Sequence, residues 1–198
     1  MSRIVEMDLP DDMLGVHAIS LVDFPAIEEN FIALSKEQKK QYNLAKADSE
    51  KRLLVGPALI PNKQIFRNDG DEGYYMYFPD HVVYKAATNF LKNSFQNNHT
   101  IMHEERTEGL TVVQSWLIDD PKKDKSNAYG MEFPKGTWMV AVKVDNEQVW
   151  EEQVKEGKVK GFSIEAYFAE KLAAKKQDPN KNIIKQLTEI KQILKSEI

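Results

Sequence analysis

Apolar and polar positions alternate from Gly15 to Val22, which predicts a strand buried on one face, and Asp23-Phe24-Pro25 ends it because proline cannot continue a central ladder. Arg52 to Ile60 reads as a second strand, with Gly56-Pro57 marking a bulge or bend. Ile65 to Arg67 and Tyr74 to Phe78 flank Asn68-Asp69-Gly70-Asp71-Glu72-Gly73, the composition of a hairpin turn. The acids in that turn lack the alternating-ligand spacing of a helix-loop-helix calcium site. Leu110 to Ile118 and Thr137 to Val144 are β-branched and aromatic strand candidates joined by a long polar hairpin loop.

Helical spacing appears in two places before the tail. Val82, Val83, Ala86, Ala87, Phe90 and Leu91 recur as one apolar face after Pro79-Asp80, where Asp80 is expected to cap free amides. Asp145-Asn146 is expected to cap a second helix through Trp150 and Val154, ended by Gly157, which leads to Val159 and a strand through Phe168. Ser35 to Arg52 is rich in Lys, Glu, Gln and Asp and reads as a charged connector. In the tail, Ile183, Leu187, Ile190 and Leu194 are spaced four, three, four, an a/d seam on a short helix that needs a surface to dock on. The fold class is α+β, mainly β and mostly antiparallel. Its divisions are one domain over 1–170 with the connector at 35–52, a linker at 171–182 and an amphipathic helix at 183–198.

Composition narrows the chemistry. In 198 residues, 41% hydrophobic and 29% charged with net charge −4, there is one core and no basic footprint for nucleic acid. Lys122, Lys123 and Lys125 read as a solvated loop. No stretch is apolar enough to span a bilayer, and the start shows no signal-peptide pattern. The absence of cysteine removes thiolate nucleophiles and cysteine-ligated zinc, leaving Ser, Thr, Asp, Glu and His for hydrolytic work.

Two stretches then stand out. Gly161-Phe162-Ser163-Ile164-Glu165 carries a serine on a predicted buried strand, with a small residue two positions earlier leaving open backbone beside it. Asn97 to Glu104 carries His99 and His103. On a helix those two would share a face and could bind zinc. Thr100 and Ile101 favour strand or loop, and in a strand the two side chains lie ~13 Å apart, too far to share a metal. A serine needs a base to attack a carbonyl at neutral pH, and histidine is the usual one, so Ser163 pairs with His103 as the candidate nucleophile and base.

Taken together, Ile19 to Ala26, His103-Glu104, Ser115-Trp116, Gly136 to Trp138 and Gly161 to Glu165 resemble the XkdF-like serine proteases of tailed phages. These are a branch of the prohead maturation proteases, related in fold to the herpesvirus assemblins. The likeness runs from about Gly15 to Phe168. It implies a small antiparallel β-barrel with a His-Ser dyad on neighbouring strands, here His103 and Ser163. The Ser-Leu-Val, Pro-Ala stretch lies before the serine strand rather than after it, which implies a permuted order with the first strand beside the serine strand. His17 falls close to the place of the third catalytic residue in assemblins. Glu165 is its rival, because two residues along a strand put it on the face of Ser163, about 7 Å away; Glu104 is a third candidate. The resemblance further implies endoproteolysis through an acyl-enzyme, in the host cytoplasm inside the immature head, without metal or cofactor. Scaffolding protein and major capsid protein are its expected substrates, and the C-terminal helix an expected contact for scaffold or a second subunit. Two other readings stand beside it: a non-catalytic head protein with the same barrel, and a metal hydrolase using His99 and His103.

Overall fold

The computed structural model describes residues 3–29, 31–34, 51–69 and 72–170. Most of the 35–52 connector, the 171–182 linker and the 183–198 helix lie outside the described residues. Twelve strands are described: β1 Arg3–Asp8, β2 Gly15–Val22, β3 Ile32–Leu34, β4 Leu53–Leu59, β5 Ile65–Asp69, β6 Glu72–Tyr77, β7 His99–Ile101, β8 Glu105–Arg106, β9 Leu110–Leu117, β10 Trp138–Val144, β11 Gly161–Tyr167 and β12 Ala169–Glu170. They form three four-stranded sheets in the orders β12-β1-β6-β5, β3-β4-β10-β9 and β11-β2-β7-β8. The mainly-β reading holds. The closed barrel does not, because among the described residues the pairing ends at an edge in each sheet.

The strand boundaries follow the sequence pattern closely where alternation is clean. β2 has the predicted ends but is buried on both faces rather than one, with Ala18, Ser20 and Val22 on one side and Ile19 and Leu21 on the other all 5% exposed or less. β4 pairs antiparallel with β10, with a register break where Trp138 faces Leu59 and Met139 faces Pro57, so the expected bulge falls at Ala58. β5 and β6 form the predicted hairpin, although its turn lies outside the described residues. β1 was not legible as a strand. Its apolar residues Ile4 and Val5 are adjacent rather than alternating, and it is held by parallel pairing to β6.

Helix α1, Asp80–Lys92, buries Val82, Val83, Ala86, Ala87 and Phe90 against β2 and β10, and Phe90 meets Trp138 edge-on at 5.4 Å. Two details differ from expectation. Pro79 occupies the N-cap position with no side-chain cap, while Asp80 sits in the first turn and accepts from Asn62 Nδ2. A proline costs nothing there, since the first amides of a helix lack partners in any case. Leu91 is 41% exposed and lies off the buried face. The second helix begins as α2, Glu147–Val149, capped by Asn146, whose Oδ1 accepts from the Val149 amide, and continues as a π-helical turn over Trp150–Lys155. Trp150 and Val154 are its buried anchors, and Gly157 ends it at φ 67°. The β9–β10 loop is not simply solvated, because Lys125 lies 3.6 Å from the Trp116 ring centroid and donates to Gln114 Oε1.

Candidate active site

The site is built on the third sheet. Ser163 on β11 lies opposite Ser20 on β2, and Ser20 lies opposite Thr100 on β7, so three hydroxyl side chains form a row on one face. β2 therefore separates the serine strand from the histidine segment, whereas the resemblance implies neighbouring strands. The pairing of β2 with β11 itself is antiparallel, and it places the N-terminal strand beside the serine strand.

The backbone around Ser163 is tightly constrained. A Cβ on Gly161 would stand 2.5 Å from Pro25 Cγ and 2.8 Å from the Glu29 carbonyl oxygen. The space beside Gly161 is thus filled by the segment after β2 rather than left open. Further along β11, Phe162 is buried, Ser163 half-buried, and Tyr167 60% exposed, so the strand is buried at its start and open at its end.

His103 is not on a strand. β7 stops at Ile101, and Met102 and His103 turn the chain back with left-handed φ of 52° and 63°. Such angles cost L-residues energy and persist only where surrounding bonds fix them. Three bonds do so here: Met102 N–H to Leu21 O at 3.0 Å, Glu104 N–H to Ile101 O at 3.0 Å, and His103 N–H to Ser20 Oγ at 3.0 Å. Ser20, fully buried, also donates to Thr100 O at 3.4 Å. Neither Ser20 nor Thr100 stood out as a site residue in the sequence. The available signal was a serine within the apolar run Ile19 to Val22, since a buried hydroxyl needs partners.

The turn aims the imidazole back over the sheet. His103 Nδ1 lies 3.3 Å from Glu165 Oε1, and Thr100 Oγ1 donates to the same oxygen. Glu165 sits opposite Ala18, whose short side chain leaves room for the carboxylate to lean across β2. An ionised carboxylate only accepts, so Nδ1 carries the proton in this contact, and in the neutral imidazole Nε2 is then the nitrogen with the lone pair. Ser163 and His103 line one open cleft with Val22, Asp23, Phe24 and Met102. The Ser163 hydroxyl itself makes no hydrogen bond with the described residues.

The third candidate falls elsewhere. Ala18 and Ser20 take the face of Ser163, and His17 is the extra residue of a bulge opposite Glu165 and Ala166. Its ring stacks on Tyr167 with centroids 5.0 Å apart, and its Nδ1 is buried without a hydrogen-bond partner among the described residues. The contact that an orienting residue would make to His103 belongs to Glu165. Glu104 is exposed in the turn.

His99 is fully buried between two carbonyls, with Nδ1 3.2 Å from Ile19 O and Nε2 3.0 Å from Gln96 O. Burial holds its pKa below the ordinary value, against the pull of those carbonyls. Both ring nitrogens thus face backbone carbonyls on the opposite side of β7 from the cleft, which removes His99 as a partner of His103 in a shared metal site. Among the described residues no group of three His, Asp or Glu is placed to hold a metal.

One cleft residue was missed altogether. Arg67 on β5 borders the cleft beside Ser163 and His103, and burial pulls its guanidinium pKa below the ordinary value. The alternation of Ile65, Phe66 and Arg67 held the signal, because it turns an arginine toward the buried side.

A serine and a histidine on one cleft, with a carboxylate against the far ring nitrogen, is the side-chain set that serine hydrolases use. The family comparison points the same way. The chain belongs to the family described as "Putative phage serine protease XkdF", whose model matches residues 41–172, more than half of the chain and including His103, Glu165 and Ser163. β2, with His17 and Ser20, lies before the matched region. No curated protein and no solved structure matches the chain. No helix among the described residues is long and apolar enough to cross a membrane.

Proposed function

We propose that this chain is a serine endopeptidase that cleaves scaffolding and capsid-protein segments inside the immature phage head, with Ser163 as nucleophile, His103 as base and Glu165 as the group that orients His103. The observation that carries the reading is the contact of His103 Nδ1 with Glu165 on the cleft that Ser163 lines. With Nδ1–H held by the carboxylate, His103 Nε2 takes the proton of Ser163 as Oγ bonds to the scissile carbonyl carbon. The same Nε2–H then protonates the leaving amine as the C–N bond breaks, giving an acyl-enzyme that water releases by the reverse sequence of proton transfers. Glu165 stays ionised and stabilises the imidazolium formed between the two transfers.

A second reading, a head or scaffold-associated protein without activity, draws on the missing hydrogen bond between Ser163 and His103. Such bonds are often long in free enzymes and tighten around substrate, which favours the catalytic reading. Incubation with scaffolding and major capsid proteins from the same source separates the two. The wild-type chain is expected to cut them, and Ser163→Ala and His103→Ala are each expected to be silent while keeping wild-type circular dichroism. Full cleavage by either variant refutes the mechanism.

A further inference from the structure

Glu165 reaches His103 across a strand, and it needs a hold there before the imidazole is charged. Its partly buried side chain crosses β2 over Ala18 and meets His103 Nδ1 at 3.3 Å. That contact is long for a hydrogen bond, and it gains its Coulomb strength only once His103 is protonated. Among the described residues the ion-pair partner of Glu165 is His103, with no Lys or Arg beside it. A long side chain so placed has rotamer freedom to lose, and a neutral imidazole offers little against that loss.

Thr100 supplies the hold. It sits on β7 between β2 and β8, opposite Ser20 on one side and Arg106 on the other. Alternation along β7 turns His99 into the interior and Thr100 to the face that Ser163 and Ser20 share. The β-branched side chain is stiff at χ1, and its Oγ1 meets Glu165 Oε1, the same oxygen that faces His103 Nδ1. A carboxylate only accepts, so the hydroxyl donates. The Thr100 carbonyl in turn accepts from Ser20 Oγ at 3.4 Å, and that Oγ accepts from the His103 amide at 3.0 Å. The base and its carboxylate are therefore joined in a closed circuit that runs from His103 through Ser20, Thr100 and Glu165 back to the imidazole.

We infer that Thr100 is a positioning residue of the proposed reaction, its hydroxyl holding Glu165 in reach of His103 while the imidazole is neutral. This rests on the endopeptidase reading of Ser163, His103 and Glu165. Thr100 acts through Glu165 rather than on the substrate, so that the carboxylate is already in place when the imidazolium forms. A rival role exists, since a hydrogen bond between side chains of one sheet also contributes to stability alone. That role predicts a lower melting temperature and an unchanged kcat.

The test measures steady-state cleavage of the scaffolding protein by the full chain, as wild type, Ser163→Ala, Thr100→Val, Thr100→Ser, Glu165→Ala and Thr100→Val combined with Glu165→Ala. Valine keeps the branched shape that a strand favours and removes the donor. Thr100→Val is expected to lower kcat about 5- to 20-fold with KM within about 2-fold, near the lower end for a hydrogen bond to a charged group because the site is partly exposed. Thr100→Ser, which restores the hydroxyl, is expected to recover most of that loss. With Glu165→Ala in place, adding Thr100→Val is expected to change the residual kcat less than about 2-fold, since the hydroxyl then has no carboxylate to hold. A kcat for Thr100→Val within about 2-fold of wild type, a loss carried by KM, a Thr100→Ser no better than Thr100→Val, or an equal loss with and without Glu165 overturns the assignment. Cutting by Ser163→Ala, or none by wild type, overturns the endopeptidase reading and the assignment with it.

Discussion

Glu165→Gln tests the proposed triad most cleanly, because it keeps the shape of the side chain and removes only its charge. Glu165 Oε1 sits 3.3 Å from His103 Nδ1, with the carboxylate side chain 24% and the imidazole 43% exposed. At that separation an imidazolium and a carboxylate attract by about 5 kcal/mol at an effective dielectric of about 20, and by about 1.3 kcal/mol at the value of water. Partial exposure of both groups puts the effective figure between these limits, at about 3 kcal/mol, or roughly a 100-fold loss in kcat. The attraction exists only while His103 carries the proton of Ser163, so the loss belongs to kcat and leaves KM near its wild-type value. Steady-state cleavage of the scaffolding protein gives both constants, with a thermal melt to show that the fold is kept. His17→Ala, which removes a ring stacked on Tyr167, is expected to cost no more than a few-fold, on the order of a surface packing change. Glu165→Gln within about 3-fold of wild type, or a larger loss from His17→Ala than from Glu165→Gln, would refute the assignment of the orienting role to the carboxylate.

Three further outcomes follow from the geometry. Gly161→Ala forces a methyl against Pro25 Cγ at 2.5 Å and the Glu29 carbonyl at 2.8 Å, neither on a flexible side-chain end; a loss of about 1–3 kcal/mol is expected in a denaturant melt, and a wild-type melt would contradict it. Ser20→Ala strips the acceptor from the His103 amide in its left-handed turn. It is expected to destabilise by about 1–3 kcal/mol and to lower kcat about tenfold or more, whereas wild-type kcat would show that Ser20 does not position the base. Burial holds the His99 pKa below its ordinary value, so the unfolded state binds more protons as the pH drops below about 6.5 and stability declines there. Thermal midpoints at about pH 7.5 and 5.5 should differ less for His99→Gln than for wild type, and equal differences would exclude His99 as the source.

The legible parts of the fold are those where one residue type decides a local structure. Strand β2 ends where Pro25 follows, Asn146 caps its helix, Gly157 ends it, and Gly56-Pro57 precedes the bulge at Ala58. Ser163, His103 and Glu165 were visible as residues because a hydroxyl, an imidazole and a carboxylate each have few roles in a chain without cysteine. What the sequence hid is set across the sheet. Whether His17 or Glu165 meets His103 depends on the β2–β11 register, which sets Ser20 opposite Ser163 and Ala18 opposite Glu165 and leaves His17 unpaired in a bulge, and no local pattern encodes that register. The same holds for the His103 turn, whose left-handed residues are Met102 and His103 rather than the glycine or asparagine that would have announced it. Arg67 became meaningful only when the fold placed it on the cleft that Ser163 lines.

The position of β2 explains why so much of the site depends on residues outside the matched stretch 41–172. β2 is the shared partner of β11 and β7, pairing antiparallel with the serine strand and parallel with the strand that leads to His103. Its Ser20 holds the His103 amide, its Leu21 carbonyl holds Met102, and its Ala18 gives Glu165 passage to the imidazole. The segment that follows it packs Pro25 onto Gly161 and supplies Asp23 and Phe24 to the cleft. The serine and the histidine are therefore fixed relative to each other through a third strand rather than by direct contact. A shift in β2 would move both, which makes the N-terminal strand a structural component of the proposed site even though its own histidine points elsewhere.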